Sequence, residues 1–138
     1  MTVIYSAHAA AKGGRGGHTE TDDKKIALDL SPPGSNGPGT NPEQLFACGY
    51  GACFGGALAF IAGQKQIALP EVPTVQVDIH LHKTETGFHL SGAINVALTG
   101  VDEAVAADLV RATHDFCPYS KATRGNIEMA LSLNGKPV

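Results

Sequence analysis

Apolar residues recur at every second position through Val75, Val77, Ile79 and Leu81, and again, with Gly92 interrupting the series, through Phe88, Leu90, Ile94, Val96 and Leu98. Period two marks strands with one buried face, and Glu85-Thr86-Gly87 between the runs supplies turn chemistry, so an antiparallel hairpin is predicted. Ile127, Met129, Leu131 and Leu133 repeat the pattern and predict a last strand. Near the N-terminus, Val3 and Tyr5 predict a short strand that pairs with a second one marked by Ile26, Leu28 and Leu30. Between them lies Gly13-Gly14-Arg15-Gly16-Gly17, read first as a turn because glycine is the default turn residue. Residues 31–40, Ser-Pro-Pro-Gly-Ser-Asn-Gly-Pro-Gly-Thr, suit neither a helix nor a strand interior and predict a loop.

Two stretches have helical character. The first starts with Thr40 or Asn41 as cap, Pro42 in the first helical position and Glu43 in the first turn, where a carboxylate suits the dipole; it is predicted to run to about Lys65. Its 19 residues from Leu45 to Gly63 carry no charge and reach the length of a membrane span. Glycine interrupts the run and no basic anchors flank it, so a buried helix of a soluble protein is expected, with the period-two strands packed on it. The second begins at Thr99-x-x-Asp102, a start resembling a capping box, and carries Val105, Leu109, Ala112 and Phe116 as an apolar stripe. Pro118 disfavours helix at Cys117 and opens a short helix through Lys121. The sum is an α+β protein of antiparallel strands packed against central helices, without an internal repeat.

Composition narrows the class. A chain of 138 residues with 43% apolar content fits a single domain, 1–138, with a real core. The net charge of −3 and the absence of a Lys/Arg stripe give no footprint for nucleic acid or an anionic membrane. Three cysteines do not make an extracellular disulfide framework, and Met1 to Gly14 lacks the apolar core of a signal peptide. A cytoplasmic setting is expected, in which a disulfide is transient and catalytic rather than structural.

The thiols carry the chemistry. Cys48 and Cys53, five apart on one helix, have Cα atoms about 8.7 Å apart and point about 140° from each other. That exceeds the roughly 7 Å a disulfide tolerates, so Cys117 is the available partner for either. Cys48 is expected to pack as a small buried hydrophobe. Cys117 stands where one helix ends and a short one begins, an N-cap position whose new helix favours a thiolate while the old one opposes it.

Cys53 has no cation among its near neighbours in sequence, and complete burial alone raises a thiol pKa by up to roughly 3–5 units. A guanidinium about 4 Å away contributes on the order of 4 kcal/mol at an effective dielectric near 20, about three pKa units. Arg15, whose flanking glycines permit close approach, is the candidate. Glu43 precedes Cys53 by ten residues, about 15 Å along the helix and about 80° around it, so it cannot touch the Cys53 of its own chain. If both serve one site, two copies must meet, and the small residues Ala47, Gly49, Gly51, Ala52, Gly55, Gly56 and Ala57 allow close helix approach in a two-fold dimer.

Asn41-Pro42-Glu43-Gln44-Leu45-Phe46-Ala47, then Gly49-Tyr50-Gly51-Ala52-Cys53-Phe54, and finally Cys117-Pro118-Tyr119-Ser120-Lys121-Ala122-Thr123-Arg124-Gly125-Asn126, closely resemble the organic hydroperoxide resistance family of the OsmC-like superfamily. Gly13-Gly14-Arg15 resembles the family's early arginine motif, and the similarity spans nearly the whole chain. The resemblance implies an OsmC-like fold with antiparallel sheets wrapped around central helices in an intertwined homodimer whose active sites are shared across the interface. It also implies a thiol peroxidase that reduces alkyl, aryl or fatty-acid hydroperoxides, with Cys53 peroxidatic, Cys117 resolving, and Arg15 and Glu43 as catalytic arginine and glutamate. No cofactor or metal is implied; dihydrolipoamide or a lipoylated protein is the reducing co-substrate. Phe46, Tyr50 and Phe54, with Phe60, are expected to provide an apolar substrate lining. Cys48 replaces a small aliphatic residue and leaves a Cys48–Cys117 disulfide open, and Gly17 and His18 depart from the family's loop.

Rival interpretations are a non-catalytic thiol switch, the sister OsmC branch with another substrate preference, and a metal site at His80-x-His82. His80 and His82 are expected to be ordinary exposed strand residues. A Cys-His-Asp hydrolase through His114 and Asp115 is disfavoured, because adjacent helical residues do not line up behind one another.

Overall fold

The computed structural model describes residues 1–138. It divides into two compact units, Met1–Leu45 and Phe46–Val138.

The first unit is a three-stranded antiparallel sheet of β1 (Ala9–Lys12), β2 (His18–Thr21) and β3 (Ala27–Asp29), in that spatial order. Lys12 pairs with His18, so the β1–β2 hairpin closes on the glycine-flanked arginine, which sits in a short 3₁₀ turn, Gly14–Gly16. Gly13 and Gly14 have φ of 84° and 62°, a backbone region that costs glycine little. A Cβ on Gly17 would lie 1.8 Å from the Lys12 carbonyl oxygen, so the hairpin requires glycine there. His18, next along, is anchored to Asp29 on β3 through Nδ1 to Oδ1 at 2.8 Å.

Val3 and Tyr5 lie outside any strand and are exposed, which corrects the predicted first strand. The true β1 is Ala-Ala-Ala-Lys, without alternation; its place is set by main-chain pairing next to the turn rather than by a buried face. The second strand is found within its expected run, and Leu30 adds an isolated bridge to Thr40 across the predicted loop.

Helix α1 (Pro42–Gln64) starts in the first unit and continues into the second. Asn41 caps it, its Oδ1 accepting from the Gln44 N–H at 2.9 Å, while the Thr40 hydroxyl donates to Gln44 Oε1. By length and composition α1 is apolar enough to cross a membrane. Tyr50, Phe54, Ala57, Leu58 and Ala62 are nevertheless buried in the core of the second unit, while Cys48, Ala52, Gly56, Ala59 and Phe60 are exposed. The expected buried helix is therefore buried along one face only.

The second unit holds a four-stranded sheet in the order β4 (Thr74–Thr84), β5 (Gly87–Ala97), β6 (Met129–Leu133), β7 (Lys136–Pro137). β4 and β5 form the predicted hairpin, from Thr74 opposite Ala97 to Thr84 opposite Gly87. β6 runs parallel to β5, against the expectation of antiparallel pairing throughout. The connection explains it, since α2 (Glu103–Phe116) and α3 (Pro118–Thr123) form the long crossover that parallel strands need. β7 was not anticipated, although Asn134-Gly135, with φ of 48° and 81°, is a strong hairpin signal. Asn134 further ties this turn to Leu98, accepting from its N–H at 2.9 Å and donating to its carbonyl at 2.8 Å.

One face of this sheet, through Ile94, Val96 and Leu133, shares a core with Tyr50, Phe54 and Leu58 of α1 and with Ala106, Leu109 and Val110 of α2. The cap of α2 is Asp102 rather than Thr99; its Oδ1 accepts the Val105 N–H at 3.1 Å. The buried stripe is Ala106, Leu109, Val110 and Thr113, so Val105 and Phe116 are exposed, contrary to the predicted stripe. Thr113 is tolerated inside because its hydroxyl donates to the Leu109 carbonyl at 2.7 Å.

Candidate active site

Each unit holds one half of the expected chemistry. In the first, Arg15 meets Glu43 in a bidentate pair, Nη1 to Oε2 and Nη2 to Oε1, both at 2.7 Å. Two parallel charge-assisted bonds fix the plane of the guanidinium as well as its position. The Glu43 side chain is 15% exposed and that of Arg15 46%. Hydrogen bonding to Arg15 holds the Glu43 carboxyl below its ordinary pKa, and the same bonds push Arg15 further up. Both groups are thus charged throughout the neutral range.

In the second unit, Cys53 on α1 faces Cys117 at the break between α2 and α3. The Cys117 thiol donates to Cys53 Sγ across 3.7 Å, and no disulfide is present. Cys117 has extended backbone angles, φ −58° and ψ 126°, because Pro118 follows it. Its N–H closes α2 on the Thr113 carbonyl, and its carbonyl accepts the Lys121 N–H to open α3, so it is an N-cap by backbone, without a side-chain cap bond. Its side chain is fully buried, whereas Cys53 is half-buried.

Burial pushes the Cys53 thiol up from its ordinary pKa; the nearby Tyr119 backbone N–H opposes this, and the Cys117 thiol adds to the rise. Without a further cation, Cys53 is a protonated thiol at neutral pH.

Tyr50 and Phe54, expected as substrate lining, are fully buried in the core of the second unit. They sit at i and i+4 on the core-facing side of α1, where burial is set by the sheet and α2. Phe46 is half-buried and meets Tyr50 and Tyr119 edge-on, at ring-centroid distances of 6.0 and 6.3 Å. Tyr119, 40% exposed and adjacent in sequence to the Cys117-Pro118 break, is the accessible aromatic the sequence reading missed, although it lies within the quoted Cys-Pro-Tyr-Ser motif. Phe60 is exposed and stacks on Phe116 at 4.9 Å. Cys48 is exposed, not buried as expected. Of the small residues assigned to helix approach, Gly51 and Gly55 face Val77 and Val75 of β4, and Gly49 lies under the Tyr119 hydroxyl; Ala52 and Gly56 remain open.

Sequence reasoning also missed a buried polar cluster beside the thiols. The Tyr50 hydroxyl bonds Ser120 Oγ at 2.9 Å and Thr123 Oγ1 at 3.1 Å, and His114 Nδ1 lies 2.8 Å from Ser120 Oγ. Burial, then the nearby Arg124 charge, lower the His114 pKa. His114 Nδ1 is thus engaged by Ser120 rather than by either thiol. His80 and His82 are exposed on β4, and His82 Nε2 bonds Ser91 at 2.7 Å.

A family model described as OsmC-like protein matches residues 34–132, a span with both thiols and Glu43. An organic hydroperoxide resistance protein of Xanthomonas axonopodis pv. citri is 43% identical over 135 residues, covering 95% of each chain. This chain belongs to the organic hydroperoxide resistance family of OsmC-like proteins. Among solved structures of that family, OhrB of Bacillus subtilis is 41% identical, with a TM-score of 0.89 over 96% of this chain and 100% of its own. A putative organic hydroperoxide resistance protein of Vibrio cholerae, with captopril bound in one of its active sites, is 39% identical, with a TM-score of 0.93 over 100% of this chain and 97% of its own. The α+β OsmC-like fold expected from the family motifs is thus the fold this chain has, with one parallel strand pair in its larger sheet.

Proposed function

We propose that this protein detoxifies organic hydroperoxides as a cysteine-based peroxidase. The observation that carries the proposal is the pair of free thiols, Cys53 and Cys117, 3.7 Å apart in a chain whose relatives are named for organic hydroperoxide resistance. The half-buried Cys53 attacks the distal oxygen of the hydroperoxide as a thiolate. The O–O bond breaks, an S–O bond forms, and the departing alkoxide takes a proton and leaves as an alcohol, so that Cys53 becomes a sulfenic acid. Cys117 then attacks this sulfur; the S–O bond breaks, the disulfide forms, and water departs with the thiol proton.

The charge requirement assigns the remaining roles. Because burial raises the Cys53 pKa, a cation has to offset it, and Arg15, held in a fixed plane by Glu43, is the group proposed to stabilise the thiolate and the charge on the departing oxygen. Glu43 lies about 15 Å along α1 from Cys53, so we assign the Arg15–Glu43 pair to the Cys53 of a second copy, in a two-fold homodimer with two shared sites. The exposed face of α1 at Cys48, Ala52 and Gly56 supports close approach of a partner helix.

Recycling follows from exposure. With Cys117 buried, an external thiol reaches the disulfide at Cys53, and the mixed disulfide it forms is cleared by a second thiol on the same reductant. A dithiol such as dihydrolipoamide, free or on a lipoylated protein in the reducing cytoplasm, meets that need. Phe46 and Tyr119 favour alkyl or aryl substrates over hydrogen peroxide.

The test is steady-state consumption of cumene hydroperoxide and hydrogen peroxide with dihydrolipoamide. Cys53→Ser and Arg15→Ala are expected to lose turnover, and Cys117→Ser to react once and stall. Single-turnover behaviour of the wild type under excess dithiol means a thiol switch instead, and an unchanged rate for Arg15→Ala removes the proposed cation.

A further inference from the structure

The buried cluster of His114, Ser120, Tyr50 and Thr123 has a proton arrangement that can be worked out. Each hydroxyl has one proton. Thr123 Oγ1 donates to the Ser120 carbonyl at 3.1 Å, so in its bond with Tyr50 it accepts, and the Tyr50 proton is spent there. Ser120 Oγ therefore donates to the Tyr50 oxygen, which leaves His114 Nδ1 as the donor to Ser120. This is the arrangement in which all four bonds form together, and no buried side-chain polar atom is left without a partner.

The cluster is placed one helical turn from the sulfurs. Tyr50 precedes Cys53 by three residues on α1, and Ser120 follows Cys117 by three at the start of α3. Residues three apart on a helix share a face, so α1 and α3 are joined by two adjacent rungs: Tyr50 to Ser120 at 2.9 Å and Cys53 to Cys117 at 3.7 Å. Pro118 breaks the helix between α2 and α3, so Cys117 is held by one backbone hydrogen bond to each helix rather than within a continuous one. The Tyr50 hydroxyl supplies the side-chain hydrogen bonds from α1 to α3, at Ser120 and Thr123, both fully or almost fully buried.

We propose that this hydrogen-bonded chain is a positioning device for the resolving step, holding the Cys117 segment against α1 so that its sulfur reaches the Cys53 sulfenic acid before a second peroxide does. The proposal rests on the peroxidase assignment above and deepens it. Disulfide formation closes the sulfurs from 3.7 Å to about 2.05 Å, a movement the side chains can make if the backbones stay in place. A loosened rung lowers the effective concentration of Cys117 at the sulfenic acid, while attack of Cys53 on peroxide proceeds as before. Tyr50, Ser120, Thr123 and His114 touch neither the peroxide nor the sulfurs in this scheme; they act through Cys117.

The test uses the full-length protein and cumene hydroperoxide in stopped-flow single turnover, with the sulfenic acid trapped by dimedone and over-oxidised Cys53 counted by mass spectrometry. Ser120→Ala and Thr123→Val are expected to form sulfenic acid at the wild-type rate and to form the disulfide about tenfold more slowly, the scale of one lost hydrogen bond, with more sulfinic acid under excess peroxide. Thr123→Ser, which keeps the hydroxyl, is expected to restore the wild-type second phase. Equilibration of the disulfide with a dithiothreitol redox buffer, which needs no peroxide, is expected to shift about tenfold toward the dithiol in Ser120→Ala. Wild-type second-phase rates and equilibrium constants in folded Ser120→Ala and Thr123→Val overturn the proposal. If wild-type protein forms no sulfenic acid, the peroxidase assignment fails, and the redox equilibrium still decides whether the rung positions Cys117.

Discussion

Oxidation of the Cys53–Cys117 pair joins residues 64 apart that are already in contact as free thiols. In the chain-entropy account, closing a loop of that length removes about 4 kcal/mol of disorder from the unfolded state. Against this stands whatever strain arises as the sulfurs move about 1.7 Å closer to reach bonding distance. If the contact is preorganised, that strain is small and most of the gain survives. For a chain of this length each kcal/mol moves the melting temperature by about 3–5 °C, so oxidised protein is expected to melt up to about 12–20 °C above reduced protein. The measurement is differential scanning calorimetry on a Cys48→Ser background, where only one intramolecular pair can form, with mass spectrometry confirming the disulfide and Cys117→Ser as control. A shift below about 3 °C, less than one kcal/mol, shows that native-state strain consumes the gain and that the thiols are not poised to bond. A lower melting temperature on oxidation refutes the reasoning outright.

Further outcomes follow from single groups. Tyr50→Phe is expected to cost about 2 kcal/mol in chemical denaturation, from two buried hydrogen bonds, and a cycle with Ser120→Ala should be strongly non-additive because the two share a bond. Glu43 has a lowered pKa in the folded protein, so the stabilisation from its pair with Arg15 is complete above the ordinary carboxylate range and is lost as pH falls through the lowered value. Carbon-detected NMR titration should place the Glu43 midpoint higher in Arg15→Ala than in the wild type, and equal midpoints discard the pairing in solution. Asp102→Ala should lower stability by about 1 kcal/mol through loss of the α2 cap, whereas Thr99→Ala should change little. In native reduced protein, a monobromobimane pulse should leave Cys117 unlabelled until unfolding, and labelling of Cys117 in the folded protein as fast as in the denatured protein contradicts its burial.

Much of the fold was legible because short-range patterns carried it. The β4–β5 hairpin followed from alternation broken only at Gly92, and α1 from Pro42, Glu43 and an uncharged run. The errors have local causes. β1 is three alanines and a lysine, so no side-chain pattern marks it, and its strand character comes from pairing with β2. The stripe of α2 was rotated because Val105 and Phe116 look like core residues while Thr113, buried through a hydrogen bond to its own helix, does not. The parallel register of β6 follows from the helical crossover before it, which alternation within a strand cannot report.

By itself the sequence determined which atoms can react: the thiols at 53 and 117, the proline that breaks the helix at the second, and an arginine among glycines. It also carried the family assignment, since contiguous motifs survive in one dimension. Tertiary structure alone decided that Cys117 is fully buried and 3.7 Å from Cys53, that Arg15 and Glu43 form a planar fork, and that the Tyr50 hydroxyl joins a buried hydrogen-bonded chain. These are relations between residues far apart along the chain. Each depends on how helices and sheet pack, and packing sums many contacts whose partners no local pattern names.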